Sequence, residues 1–191
     1  MVLDMDVLDI INKRKSIRKY KNQSIPPKYL DKIIDSARKC QSAKNRQPWK
    51  LMIIEKQDKD MIAKIMLDTF LNAPSLEKKY MASSVMSSKV IKNAPIAIGI
   101  FRDNEEIQWE KEDLLSIGAA IENMCLEATS LGLGSVWIRD VYYSEKEIVK
   151  QLSVNNFQLI SILVIGIPDD ESPCTSRKEM KEIIFGDYMS N

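Results

Sequence analysis

The chain has 191 residues, which is enough for one domain with a hydrophobic core, and we expect residues 1–191 to form a single domain. Its hydrophobic content is 45%, its charged content is 29% and its formal net charge is +1. These values are typical of a soluble globular protein, and they give no overall charge that would favour nucleic acid, a membrane surface or a polyanion.

Neither a membrane anchor nor a secretion signal is expected from the sequence. The longest apolar runs, such as 159–167, are far shorter than the ~20 residues that a membrane helix needs. The acidic start, residues 1–9, lacks the basic region and apolar stretch of a signal peptide. We therefore predict a cytoplasmic protein.

The chain contains three cysteines and no histidine. Cys40, Cys125 and Cys174 fit no zinc-binding spacing, and an odd number fits a secreted disulfide scaffold poorly, so we expect free thiols and no metal site. The absence of histidine excludes Ser-His-Asp and Cys-His nucleophilic systems and imidazole as a general base. An enzyme with this sequence would depend on a cofactor, or on carboxylates, lysine, tyrosine or a thiol.

Helices and strands alternate along the chain. Apolar residues at helical spacing, prolines in first turns and glycines after last turns predict the helices, while short apolar runs predict the strands. The predicted helices are 5–15, 24–40, 56–66, 81–93, 112–131, 144–152 and a short one near 178–184, and the predicted strands are 49–55, 96–101, 135–138 and 158–167. Residues 67–80, which include Pro74, suit a mobile lid or an irregular helix, and 102–111 is expected to be charged and exposed.

The helix 112–131 is the strongest of these predictions. It is apolar on most sides, which is typical of a helix that is buried on most sides. In a chain of this size it suggests a central helix, with a second subunit as a candidate for part of its cover. One sheet covered by helices is the expected architecture, in the α+β class.

A basic turn follows the first helix, where six of the nine residues 13–21 are Lys or Arg. A solvated helix end, a polyanion-binding arm and a site for a phosphate all fit this charge. Gly132 and Gly134 do not form a phosphate loop, because they follow a predicted helix instead of preceding one. The dinucleotide glycine fingerprint is also missing, so a nicotinamide cofactor would be a transient visitor.

Four segments, in the same order along the chain, resemble the nitroreductase family. The family has Arg-Arg/His-Ser-x-Arg/Lys-x-Phe/Tyr, then Pro-Ser-x-x-Asn-x-Gln-Pro-Trp, then a buried Gly-Ala-Ala helix that ends in Gly-Leu-Gly-x-x-Trp-Ile, and a basic tail. Here they are 14–20, 41–49, 118–138 and 177–178, followed by departures at Glu179 and Met180, where the family usually has Pro-Leu. Gln41 replaces the first proline of the loop, and Thr175 stands where some members place a lysine.

The resemblance implies a nitroreductase-like fold: a central mixed sheet of about four to five strands, covered by helices, with a long buried helix at the interface of an obligate homodimer. It also implies FMN as the cofactor, with two sites in the dimer interface. NADH or NADPH would be the transient electron donor.

The resemblance also assigns flavin-binding roles. Arg14 and Arg177 would hold the phosphate, Ser16 the phosphate or ribityl chain with Lys15 beside it, and Arg18 would lie near the pyrimidine edge. Ser42, Asn45 and Gln47 would approach the ring from the opposite subunit, Trp137 and Ile138 would cover one ring face, and the Arg139 backbone N–H would point at flavin N5. No side chain is implied as a nucleophile or strong acid, since the flavin carries the chemistry and Arg18 and Arg139 only tune it.

The implied reaction is a ping-pong transfer of hydride from NAD(P)H through flavin N5 to a nitroaromatic, a quinone or a similar electron-poor acceptor. Fused-ring synthesis and dehalogenation also occur in the family, and no residue here marks them. The alternative is a flavin-binding store or redox sensor without substantial turnover. A third possibility, a nucleic-acid-binding module that uses the basic turn, would be colourless and strongly salt-dependent, and the near-neutral net charge argues against it.

Overall fold

The computed structural model of the chain describes residues 6–104, 107–169, 175–184 and 186, and the elements below are those of this part of the chain. The helices are α1 Val7–Lys13, α2 Pro27–Arg38, α3 Lys56–Asn72, α4 Ser75–Met81, α5 Ser84–Asn93, α6 Glu110–Ser130, α7 Glu145–Gln151 and α8 Met180–Ile183. The strands are β1 Trp49–Ile53, β2 Ile96–Asp103, β3 Gly134–Ile138 and β4 Phe157–Gly166. Short 3-10 turns lie at Ala43–Asn45, Ile107–Trp109 and Asp140–Ser144.

The predicted order of helices and strands is confirmed, and two stretches differ from the prediction. Residues 67–80 are regular, because α3 continues to Asn72 and Pro74 precedes the first turn of α4, where a proline ring does not interrupt helical hydrogen bonds. The predicted exposure of 102–111 is wrong for Arg102, which is only 2% exposed. Its guanidinium is buried because it pairs with Asp113 of α6.

The four strands form one sheet in the order β1-β2-β4-β3, and every neighbouring pair is antiparallel. The predicted α+β class is therefore confirmed. The sheet was predicted to be mixed, and in the structure its strands are all antiparallel. Parallel pairing among the described residues is limited to an isolated bridge between Ser16 and Ser135.

Side chains alternate between the two faces of the sheet, and each face has its own helical cover. On β4, Leu163 packs with the cluster that holds α2 and α6, while the neighbouring Ile162 packs with the cluster that holds α3, α5 and α7. Strand β4 is apolar at eight of its ten positions, the exceptions being Gln158 and Ser161, and this composition fits a strand with both faces buried. In the described part of the chain, no helix combines the length and apolarity needed to cross a membrane.

The segment 16–21 lies along the outer edge of β3 and across the end of β4. The Ile17 N–H donates to the Ser135 carbonyl at 2.9 Å, and the Lys21 N–H donates to the Ile167 carbonyl at 2.9 Å. Two glycines make this approach possible. A Cβ at Gly134 would lie 2.7 Å from Ile17, and a Cβ at Gly166 would lie 2.5 Å from the Tyr20 ring. The Tyr20 hydroxyl donates to the Ile17 carbonyl and closes the turn.

We expect Gly134→Ala to lower the free energy of unfolding by about 1–3 kcal/mol, because the added methyl group meets Ile17 at a distance that real Cβ contacts do not reach. Gly118→Ala is the matched control, since its Cβ would lie 3.5 Å from Trp137, an ordinary contact. In helix α6 that change should stabilise by about 0.5–1 kcal/mol. Urea unfolding of both variants measures the difference, and equal effects would contradict the close packing at Gly134.

Candidate cofactor-binding site

Two clefts meet at the exposed end of β3. The first, the Arg14 cleft, has a volume of about 250 Å³, and the second, the Arg18 cleft, has about 290 Å³. The Arg14 cleft is lined by Arg14, Ser16, Glu122, Cys125, Ser135, Val136, Trp137 and Arg139. The Arg18 cleft is lined by Arg18, Ser83, Met86, Ser87, Val90 and residues 136–140. Because both clefts share Val136, Trp137 and Arg139, they form one groove, which we call the β3 groove.

The basic turn supplies one wall of the β3 groove. Ile17 is 3% exposed and points into the protein, so its extended neighbours Ser16 and Arg18 turn toward the groove side. Arg14, the residue after α1, lies in the Arg14 cleft with its Nε atom 3.2 Å from Glu122 Oε1. The structure thus brings Arg14, Ser16 and Arg18 together as the sequence predicts, whereas Lys15 lines neither cleft.

Trp137 forms the floor where the two clefts join. Its side chain is 42% exposed, and its indole ring lies against Gly118 of α6. Ile138 is buried, lines the Arg18 cleft, and accepts a 2.8 Å hydrogen bond from Ser161 on its carbonyl. The Arg139 guanidinium lies 4.5 Å from the centre of the Tyr142 ring. The three predicted residues 137–139 are therefore all in the groove.

The loop 42–47 lies beside the N-terminal half of α6 and lines neither cleft. The Gln47 N–H donates to Ser42 Oγ at 3.0 Å, and the Gln47 amide donates to Asn45 Oδ1 at 3.3 Å. Lys44, Asn45 and Gln47 all have φ near +50°, a strained region for residues other than glycine. Within one chain the structure does not bring Ser42, Asn45 and Gln47 to Arg14, and their approach from a second subunit stays a prediction.

A buried charge cluster holds this loop in place. Asp113 of α6 is 2% exposed, and its two oxygens lie 3.1 Å from Arg46 Nε and 3.2 Å from Arg102 Nε. The cluster joins the loop to α6 and to β2. Asp113 was not predicted from the sequence. It lies on the same helical face as Ile117 and Ala120, and this was a usable signal, because an acid on a buried face needs a cationic partner.

Arg177 is not brought to the groove in the described residues. Its Nη1 donates to the carbonyl and the hydroxyl of Thr175, at 2.9 and 2.7 Å, and it lines neither cleft. Residues 170–174, which include Cys174, lie outside the described part of the chain.

Cys125 lies at the base of the Arg14 cleft and is buried, as is Cys40, and both are free thiols. Burial raises the pKa of Cys125 to about 11, so this thiol is protonated at neutral pH. Sequence reasoning had placed neither Cys125 nor Glu122 in the site. Both belong to α6, and their position in the groove depends on tertiary packing.

The model of the nitroreductase family, described as "Nitroreductase family", matches residues 11–167, and the chain belongs to this family. A protein of Methanothermobacter thermautotrophicus with the provisional name NADH dehydrogenase/NAD(P)H nitroreductase is 33% identical over 71% of this chain, and the chain spans 62% of that relative. A protein of Archaeoglobus fulgidus with the same provisional name is 28% identical, with 87% of each chain covered. The structure is also similar to that of a provisionally named nitroreductase in complex with FMN from Desulfovibrio desulfuricans, with a TM-score of 0.80, 22% identity and 98% and 99% of the two chains covered. At that identity the likeness establishes the fold.

We expect Asp113→Asn to lower the free energy of unfolding by about 3 kcal/mol, because two guanidinium groups lose a shared buried carboxylate. Glu147→Gln is the control, since Glu147 pairs with Lys150 at the surface and its loss should change stability by less than about 0.5 kcal/mol. Chemical unfolding of the two variants measures the difference. A cost for Asp113→Asn as small as that of the control would contradict the role of the cluster.

Proposed function

We propose that the protein is an FMN-dependent oxidoreductase driven by NADH or NADPH, with the flavin in the β3 groove. The observation that carries the proposal is the joining of two clefts: one has Arg14 and Ser16, the other has Arg18, and both share the exposed indole of Trp137. Membership of the nitroreductase family and likeness to an FMN-bound neighbour support it.

The residues of the groove fit FMN in their chemistry. Arg14 and Ser16 offer the charged and neutral donors that a phosphate monoester accepts, and a guanidinium can bind two of its oxygens at once. The Trp137 indole lies against Gly118 of α6, is 42% exposed and lines both clefts, so it is accessible to a bound ring. Ile138, with Met86 and Val90, gives the Arg18 cleft an apolar wall that suits a ring system.

Bound FMN would supply the redox chemistry, a ping-pong transfer of hydride from NAD(P)H to a nitroaromatic, a quinone or a similar electron-poor acceptor that uses the same place in turn. The protein's own side chains would bind and orient the flavin and its substrates. Arg18 is exposed, and its Nη1 lies 3.4 Å from the Ser16 carbonyl oxygen. A cation in this wall of the groove would stabilise a bound group that gains negative charge. We assign no side chain as nucleophile or acid.

We also propose a homodimer in which the loop 42–47 of one subunit completes the groove of the other. The apolar side chains of Val7, Leu8 and Ile11 on α1 and of Leu115 on α6 are 49–77% exposed, and Trp137 is 42% exposed. Exposed apolar surface of this kind is typical of an interface.

Light scattering should give a mass of two chains, and a monomer that binds FMN fully would contradict the shared site.

The absorption spectrum of the purified protein is the first test. We expect flavin bands that bleach on addition of NADH or NADPH, and oxidation of the nucleotide that accelerates with menadione or a nitrofuran. The alternative, a flavin store or redox sensor, predicts the bands without this oxidation. A colourless protein that binds no added FMN would contradict both.

We expect Arg14→Ala to weaken FMN binding by about ten- to a hundredfold, because hydrogen bonds to a charged phosphate are lost. Riboflavin, which lacks the phosphate, should bind almost unchanged. Arg38→Ala removes the same charge from an exposed surface pair with Asp35 and is the control. Quenching of flavin fluorescence measures the affinities of FMN and riboflavin for the wild type and the two variants, and unchanged FMN affinity in Arg14→Ala would count against the phosphate position.

A further inference from the structure

A carboxylate lies inside the Arg14 cleft. Glu122 Oε1 is 3.2 Å from Arg14 Nε, and both side chains line this cleft. Glu122 follows Gly118 by one helical turn, so it projects from the same face of α6 as the surface under Trp137. The position of Glu122 in the groove is therefore set by the long helix α6.

Three of the residues that line the Arg14 cleft carry charge: Arg14, Glu122 and Arg139. Cys125 is a protonated thiol at neutral pH, since burial raises its pKa to about 11, and Ser16 and Ser135 are neutral hydroxyls. The Arg139 guanidinium lies 4.5 Å from the centre of the Tyr142 ring. Glu122 is therefore the negative charge that Arg14 meets within the cleft.

A phosphate monoester carries a charge of about −1.5 to −2 at neutral pH. In this cleft it would meet an arginine whose Nε already faces a carboxylate, and that carboxylate would repel the phosphate. The Arg14–Glu122 pair is weak enough to be exchanged, because the two side chains are 23% and 47% exposed and solvent screens such pairs. The competition therefore lowers the affinity for the phosphate without closing the cleft.

We propose that Glu122 is an internal competitor for Arg14, which weakens the binding of the FMN phosphate and makes the cofactor exchangeable. This inference rests on the proposed function, because it needs the flavin phosphate in the Arg14 cleft. It is specific to the phosphate. Riboflavin has the same ring and ribityl chain but no charge to compete with the carboxylate.

The test compares the affinities of FMN and riboflavin, measured by fluorescence quenching, in the wild type and in Glu122→Gln. The amide keeps the shape of the side chain and removes its charge. We expect FMN to bind about three- to tenfold more tightly and riboflavin to change less than twofold. Glu122→Ala should shift FMN in the same direction. The matched control is Glu127→Gln, which removes the same charge from another face of α6 and should leave both affinities unchanged.

Each other outcome overturns the inference in a recognisable way. Unchanged FMN affinity in Glu122→Gln would show that the pair exerts no competition. Weaker FMN binding would make Glu122 a positioning residue for Arg14. Equal weakening of FMN and riboflavin in Glu122→Ala would place the carboxylate on the ribityl chain. If the wild type binds neither flavin, the proposed function itself fails, and this inference fails with it.

Discussion

The close approach of the segment 16–20 to the sheet is the constraint on which the site depends. Two backbone positions permit it, because a side chain at Gly134 would collide with Ile17 and one at Gly166 would collide with the Tyr20 ring. The N–H of Ile17 then reaches the Ser135 carbonyl on the free edge of β3. This pairing covers an edge strand that would otherwise expose unpaired backbone groups, and it places the basic turn beside Trp137.

Helix α6 connects the parts of the site. Near its start, the buried Asp113 carboxylate holds the loop 42–47 through Arg46 and β2 through Arg102. In its middle, Gly118 supports the indole of Trp137, and one turn later Glu122 meets Arg14. Helix α6 thus contributes a packed wall to the groove, while the basic turn supplies another wall.

Many features of the fold and of the candidate site could be predicted from the sequence, because a helix, a strand or a short motif is formed by residues that are close together in the chain. The order of helices and strands, the buried apolar face of α6 and the meeting of Arg14, Ser16 and Arg18 with Trp137 all followed from spacing or from the family resemblance, whereas α6 also has an exposed side at Leu115. Contacts between distant segments could not be predicted. The pairing of Arg102 with Asp113 and the approach of Glu122 to Arg14 depend on how α6 packs, and the regular course of 67–80 depends on Pro74 lying before a helix instead of inside one.

A crystal structure of the protein grown with FMN would locate the cofactor. We expect density for the phosphate beside Arg14 and Ser16, for the ring system against Trp137, and for the loop 42–47 of a second chain at the same groove. A flavin bound elsewhere, or a β3 groove that stays empty at saturating FMN, would contradict a flavin site in this groove.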